Sequence, residues 1–191
     1  MVHQSQFRTI RRRSGMIAFC GVMAALSVVL MLLGGIIPLA TYISPLLGGA
    51  LLLPVMLEYG RRPAWVMWLA VSLLTLLLGA DREAAFFYLF VGYYPLLKPT
   101  LDKIPLKLPR LLAKLGFFAL AVGVMYGVLC LVLRLDAVLA EFAESAVWVN
   151  VLFFLMMLLC LLLYDFLLKV WAVIYTRRLR PRLKFLTRRG S

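Results

Sequence analysis

The residue types that most often carry chemistry are few in this chain of 191 residues, and they are scattered. Its single histidine, His3, lies in a basic N-terminal stretch. The three cysteines, Cys20, Cys130 and Cys160, each fall inside an apolar run. A thiol in that setting behaves as a small hydrophobe, and the spacing gives neither a disulfide framework nor a metal site. There is no G-x-x-x-x-G-K-S/T, so the chain does not itself cradle the phosphates of ATP, and there is no G-x-S-x-G nucleophile elbow. No catalytic residue, metal or cofactor is expected, and the chain does not read as an enzyme.

A different chemistry is open to it, the recognition of a small molecule. Aromatic and polar groups collect at the ends of apolar stretches: Thr41, Tyr42 and Ser44, then Asp81, Arg82, Glu83 and Tyr88, then Tyr126, then Trp148 and Asn150. Tyr and Trp offer flat apolar faces with a polar tip. An arginine and an amide offer oriented hydrogen bonds, which fix a ligand's pose in an otherwise apolar cavity. Tyr42, Arg82, Tyr88, Tyr126, Trp148 and Asn150 are therefore the expected substrate-binding residues. Anchoring at the membrane interface accounts equally for Trp148 and Tyr88, and Asp81 and Glu83 are expected to be solvated loop charges. Asp165 and Lys169, four residues apart, are expected to pair on one helix face.

Small residues form two further patterns. Ala18, Gly21 and Ala25 share one face of a helix at 100° per residue, and Gly116, Ala119, Gly123, Gly127 and Cys130 share another. Such stripes let helices approach closely. Packing within the protein is the first expectation for them; docking of a partner membrane protein on Ala18, Gly21 and Ala25 is the sharper one.

The elements that must position these groups are membrane spans. The chain is 64% hydrophobic, with mean hydropathy +0.99, which points to an integral membrane protein. From Ser14 to Leu57 it runs 44 residues without a charge, and one crossing takes about 20 apolar residues. The first span reads Gly15 to Leu33, ended by Gly34-Gly35 and Pro38; an uncharged connection to Pro45 follows, and the second span runs from Leu46 to Leu57. The first span's apolar core is too long for a cleaved signal, and no small-x-small site follows. The third span is Pro63 to Leu78. The fourth, Ala84 to Leu97, holds only 14 uncharged residues, so it must thin the membrane, borrow its ends or break near Gly92 and Pro95. The fifth is Leu111 to Leu133 and the sixth Val147 to Tyr175. Between these two, Asp136, Glu141 and Glu144 mark an acidic outer loop that could form a short amphipathic helix.

Charge sets the orientation. The net charge is +13, yet of 21 Lys and Arg only Arg82 and Arg134 fall in the expected outer loops. The positive-inside rule then puts both termini in the cytoplasm, with anionic headgroups rather than nucleic acid as the partner of the basic residues. The expected fold is an all-α integral membrane protein of the cell membrane, a six-transmembrane-helix bundle over residues 1–176 with a basic cytoplasmic tail over 177–191. A backbone in lipid must satisfy its own hydrogen bonds, which makes the spans helical.

The first span and its loop, G-M-I-A-F-C-G-V-M-A-A-L-S-V-V-L-M-L-L-G-G-I-I-P, resemble the start of the substrate-binding S components of energy-coupling factor vitamin transporters. Basic residues followed by an Ala-rich first helix and a loop are shared, as are size, six spans and inside termini. The resemblance implies capture of a vitamin or similar micronutrient from outside. A separate T component and ATPase subunits would supply the power stroke, and the docking stripe would fall on Ala18, Gly21 and Ala25. The G-Y-Y-P-L-L-K-P element from Gly92 to Pro99 assigns no particular vitamin. The alternative is a non-transporting membrane scaffold or cell-envelope assembly protein.

Overall fold

The computed structural model describes residues 2–35, 40–78, 82–131 and 147–181. Among them the chain is all helix, with no strand. Helix α1 spans Val2–Gly34, α2 Ala40–Ala50, α3 Leu52–Tyr59, α4 Arg61–Leu78, α5 Arg82–Val91, α6 Tyr94–Leu101, α7 Lys107–Leu131 and α8 Val147–Ile174. The last runs on into a π-helical turn, Tyr175–Leu179. Among the described residues five segments are long and apolar enough to cross a membrane: Ser14–Gly34, Ala40–Tyr59, Arg61–Leu78, Lys107–Met125 and Phe154–Leu179.

The boundaries follow from local chemistry. The helix carrying the first span extends back through the arginines to Val2 and stops at Gly34, where a Cβ would run into the Ser44 side chain and lie 3.2 Å from the Ala40 carbonyl. Thr41, Tyr42 and Ser44, expected in a connecting loop, lie instead within α2. That helix carries Pro45 inside it, and Pro45 cannot donate to the preceding turn. The second crossing stretch is thus two helices joined at Leu51, whose N–H is shared between the carbonyls of Leu47 and Gly48, both at 3.3 Å. Gly60 ends it with φ +90°, a left-handed conformation that favours glycine. The expected fourth span is broken. Helix α5 covers only 10 residues, about 15 Å at 1.5 Å per residue, and the turn at Gly92 and Tyr93 separates it from α6. The acidic loop with Asp136, Glu141 and Glu144, and the residues Asp81 and Arg134, lie outside the described residues.

The chain divides into two compact units, Met1–Leu96 and Leu97–Ser191. In the first, α1 packs on α2 and α4, α2 on α5, and α3 on α4. Met31, Leu52, Val55, Ala64, Met67, Val71, Ala84, Tyr88 and Leu96 form its core. Lipid tails are as apolar as these side chains, so close packing and hydrogen bonds hold such helices together. The Ser27 hydroxyl shows this: it lies 3.0 Å from the Met23 carbonyl on its own helix and 3.2 Å from the Gly48 carbonyl on α2. Ser72 and Thr75, also buried, return their hydroxyls to carbonyls one turn back. At the other end of this unit Trp65, Trp68 and Tyr93 stack as a trio with ring centroids 5.4 to 5.7 Å apart.

In the second unit α7 packs on α8. The buried face of α7 carries Lys114, Phe118, Ala121, Val122 and Met125, and that of α8 carries Leu161, Tyr164, Asp165 and Leu168. A lysine and an aspartate thus occupy positions that the helical repeat assigns to the packed faces.

Candidate functional site

Helix α1 has two distinct faces. Phe19, Cys20, Met23, Ala24, Val28 and Met31 face the core of the first unit. Ala18, Gly21 and Ala25 lie on the exposed side. A Cβ added at Gly21 would meet nothing within 4 Å. Packing within the protein, the first expectation for this stripe, is therefore not what these three residues do among the described residues. On α7 Gly116 and Gly123 are exposed, Ala119 and Gly127 are half-buried, and a Cβ on any of these three glycines would meet nothing within 4 Å.

The expected substrate-binding residues fall into both units. In the first, parallel packing of α2 and α5 brings Tyr42 to the start of α5. Its hydroxyl donates to Glu83 Oε1 at 2.7 Å, and its ring meets Phe87 edge-on, with centroids 5.8 Å apart. Glu83, expected to be a solvated loop charge, is instead half-buried and hydrogen-bonded. Arg82 is exposed. Tyr88, expected at an outward pocket, is completely buried in the core. Its ring lies against Gly48 of α2, at 3.3 Å from where a Cβ would stand, and against Gly92 at 2.7 Å by the same measure. The hydroxyls of Tyr88 and Ser44 find no hydrogen-bond partner among the described residues. In the second unit Trp148 is 70% exposed, as an interface anchor would be. The backbone at Tyr126 and Asn150 is helical, and the side chains of both lie outside the described residues.

The densest constellation is one that sequence reasoning passed over. Asp165 on α8 is buried, and it is surrounded by lysines from three helices. Lys98 of α6 donates to Asp165 Oδ1 and, at 2.7 Å, to the Asp165 backbone carbonyl. Lys114 of α7 donates to Asp165 Oδ2 at 2.9 Å and to Asp102 Oδ1 at 2.7 Å. Lys169, the expected partner, stands farther off at 3.6 Å with its side chain half exposed. The i,i+4 pairing exists, but it is the weakest of the three contacts, because Lys169 reaches the carboxylate from its solvent-facing side. Two buried ammonium groups meet the carboxylates of Asp165 and Asp102, with the half-exposed Lys169 at the edge, so the cluster is a polar joint between α6, α7 and α8.

The signal for it was present. Lys114 precedes Phe118, Ala121 and Met125 by four, seven and eleven residues, which puts its side chain on the apolar face of α7. A charge on such a face calls for a partner of opposite sign. Comparison with known protein families, curated proteins and solved structures finds no match for this chain.

Proposed function

We propose that this chain is a non-enzymatic docking subunit of a membrane assembly, and specifically the substrate-binding S component of an energy-coupling factor importer. In this reading six crossings keep both termini in the cytoplasm, the short α5–α6 stretch being the fourth. A T component and ATPase subunits bind it, and a vitamin-like small molecule enters from outside. The observation that carries the docking part is the exposure of Ala18, Gly21 and Ala25 on the side of α1 turned away from its core. Small residues there would allow a partner helix to approach its backbone closely. The test is Gly21→Leu. With open space at that position, the variant should fold and stay in the membrane fraction while losing copurification of partner subunits. Unchanged copurification would remove the docking role.

A scaffold without a substrate is the second reading, and one observation favours it. In the first unit, Tyr42 and Tyr88 spend their surfaces on the protein's own Glu83, Phe87, Gly48 and Gly92. Mass spectrometry of small molecules that copurify with the full chain separates the two. A stoichiometric vitamin-like compound supports the S component; its absence from protein prepared under growth on rich medium supports the scaffold.

A further inference from the structure

The connection from α6 to α7 and the first turns of α7 read K-I-P-L-K-L-P-R-L-L over residues 103–112. This short stretch exposes four leucines: Leu106 67%, Leu108 68%, Leu112 60% and Leu111 43%. Lys103 and Lys107 are exposed between them. No acidic residue occurs within residues 103–112, and the nearest, Asp102, is held by Lys114 at 2.7 Å. The stretch is also fixed in shape. Arg110 folds back and donates through Nε to the Ile104 carbonyl at 2.9 Å, with Nη2 on the same oxygen. The segment therefore offers a preformed surface that is apolar and cationic together, at the mouth of the crossing stretch Lys107–Met125.

We propose that residues 103–112 form a collar that seats in the bilayer surface and binds anionic phospholipid headgroups. The leucines enter the acyl boundary, and Lys103 and Lys107 meet the phosphates above it. Charge complementarity selects this occupant. A water-exposed loop would have no use for four bare leucines, and a purely hydrocarbon-facing segment would not tolerate two free ammonium groups. Long lysine stems suit that position, since they lie along apolar surface while the charge reaches the headgroups. A basic residue near an anionic surface contributes about 1 kcal/mol, or about fivefold in lipid affinity. Removing both lysines should thus weaken retention of an anionic lipid about 25-fold at low ionic strength, with the difference shrinking as salt screens the surface.

The test uses the full chain in nanodiscs of phosphatidylcholine, with or without phosphatidylglycerol. Native mass spectrometry compares phosphatidylglycerol retained by the wild type, by Lys103→Gln/Lys107→Gln and by the control Arg177→Gln/Arg178→Gln, whose exposed arginines lie elsewhere. Loss of retention in the first variant alone supports the collar; equal retention in all three, or equal loss in both variants, overturns it. Retained lipid that is displaced by inorganic phosphate would also overturn it, since a collar holds the lipid by its tails as well. A second measurement places a fluorophore at Leu106→Cys in a chain with Cys20, Cys130 and Cys160 replaced. Quenching by headgroup-labelled lipid and protection from aqueous iodide are expected. Free access of iodide refutes the proposal, as does oxidative disulfide crosslinking of the unlabelled Leu106→Cys chain, which would identify a second copy as the occupant.

Discussion

Replacing Asp165 by Asn keeps the shape of the side chain and removes the charge that two buried lysines share. Lys98 would keep the Asp165 main-chain carbonyl at 2.7 Å, which residue 165 supplies whatever its side chain, but no full negative charge. Lys114 would keep Asp102 at 2.7 Å. The loss therefore centres on Lys98, and removing one partner of a buried ion pair costs about 3–5 kcal/mol. At 1.4 kcal/mol per decade that is more than about a hundredfold in the folded-to-unfolded ratio. Lys169→Gln, which removes a half-exposed contact at 3.6 Å, should cost only about 0–1 kcal/mol. The double variant Lys98→Met/Asp165→Asn leaves Lys114 paired with Asp102 and should recover most of the loss. Unfolding in mixed detergent micelles, followed by helicity, measures these four proteins and Lys98→Gln. The reasoning fails if Asp165→Asn costs less than about 1 kcal/mol, or if Lys169→Gln costs more than Lys98→Gln.

Tyr88→Phe removes a buried hydroxyl that has no partner among the described residues, so it should be neutral or stabilising in the same unfolding assay; a loss of ligand without a loss of stability would instead put that hydroxyl on a substrate. Tyr42→Phe removes a part-buried hydrogen bond to the Glu83 carboxylate and should cost about 1–2 kcal/mol, with Glu83→Gln costing less because an amide oxygen still accepts. Lys103→Cys should be protected from an impermeant thiol reagent applied outside intact cells and should react after permeabilisation; labelling from outside would remove α5–α6 as a crossing.

Much of the helical layout could be read from hydropathy, because a run such as Ser14–Leu57 leaves a chain in lipid no alternative to helix. The break in the fourth stretch was also foreseeable, since Gly92 and Pro95 sit where 14 apolar residues run short. Boundaries were less accessible. Tyr42 and Ser44 looked like loop residues because polar side chains after Pro38 imitate a turn, yet both lie within α2, where Tyr42 donates to Glu83 and Ser44 packs beside Gly34. The Asp165 cluster was hidden for a different reason. Periodicity exposes neighbours three and four residues away, and it nominated Lys169; the closer partners stand 67 and 51 residues away in sequence. Tyr88 was misjudged through its chemistry, since a tyrosine at a span end fits the interface as well as the core. What decided its place was a pair of glycines, Gly48 on α2 and Gly92 in the turn after α5, and glycine announces only that space is left, not what fills it.

The ring of Tyr88 occupies the room that two absent side chains would need. A methyl at Gly92 would strike both the Tyr88 carbonyl and its ring, and one at Gly48 would press on the same ring from α2. The three positions therefore form one heritable unit. Gly48 can become alanine with a shift of a few tenths of an ångström; Gly92 cannot, because the main-chain oxygen in its way does not shrink when Tyr88 changes. Sequence drift at this joint has an order: residue 92 stays fixed, while residue 48 admits alanine at once and larger side chains only after residue 88 has become smaller.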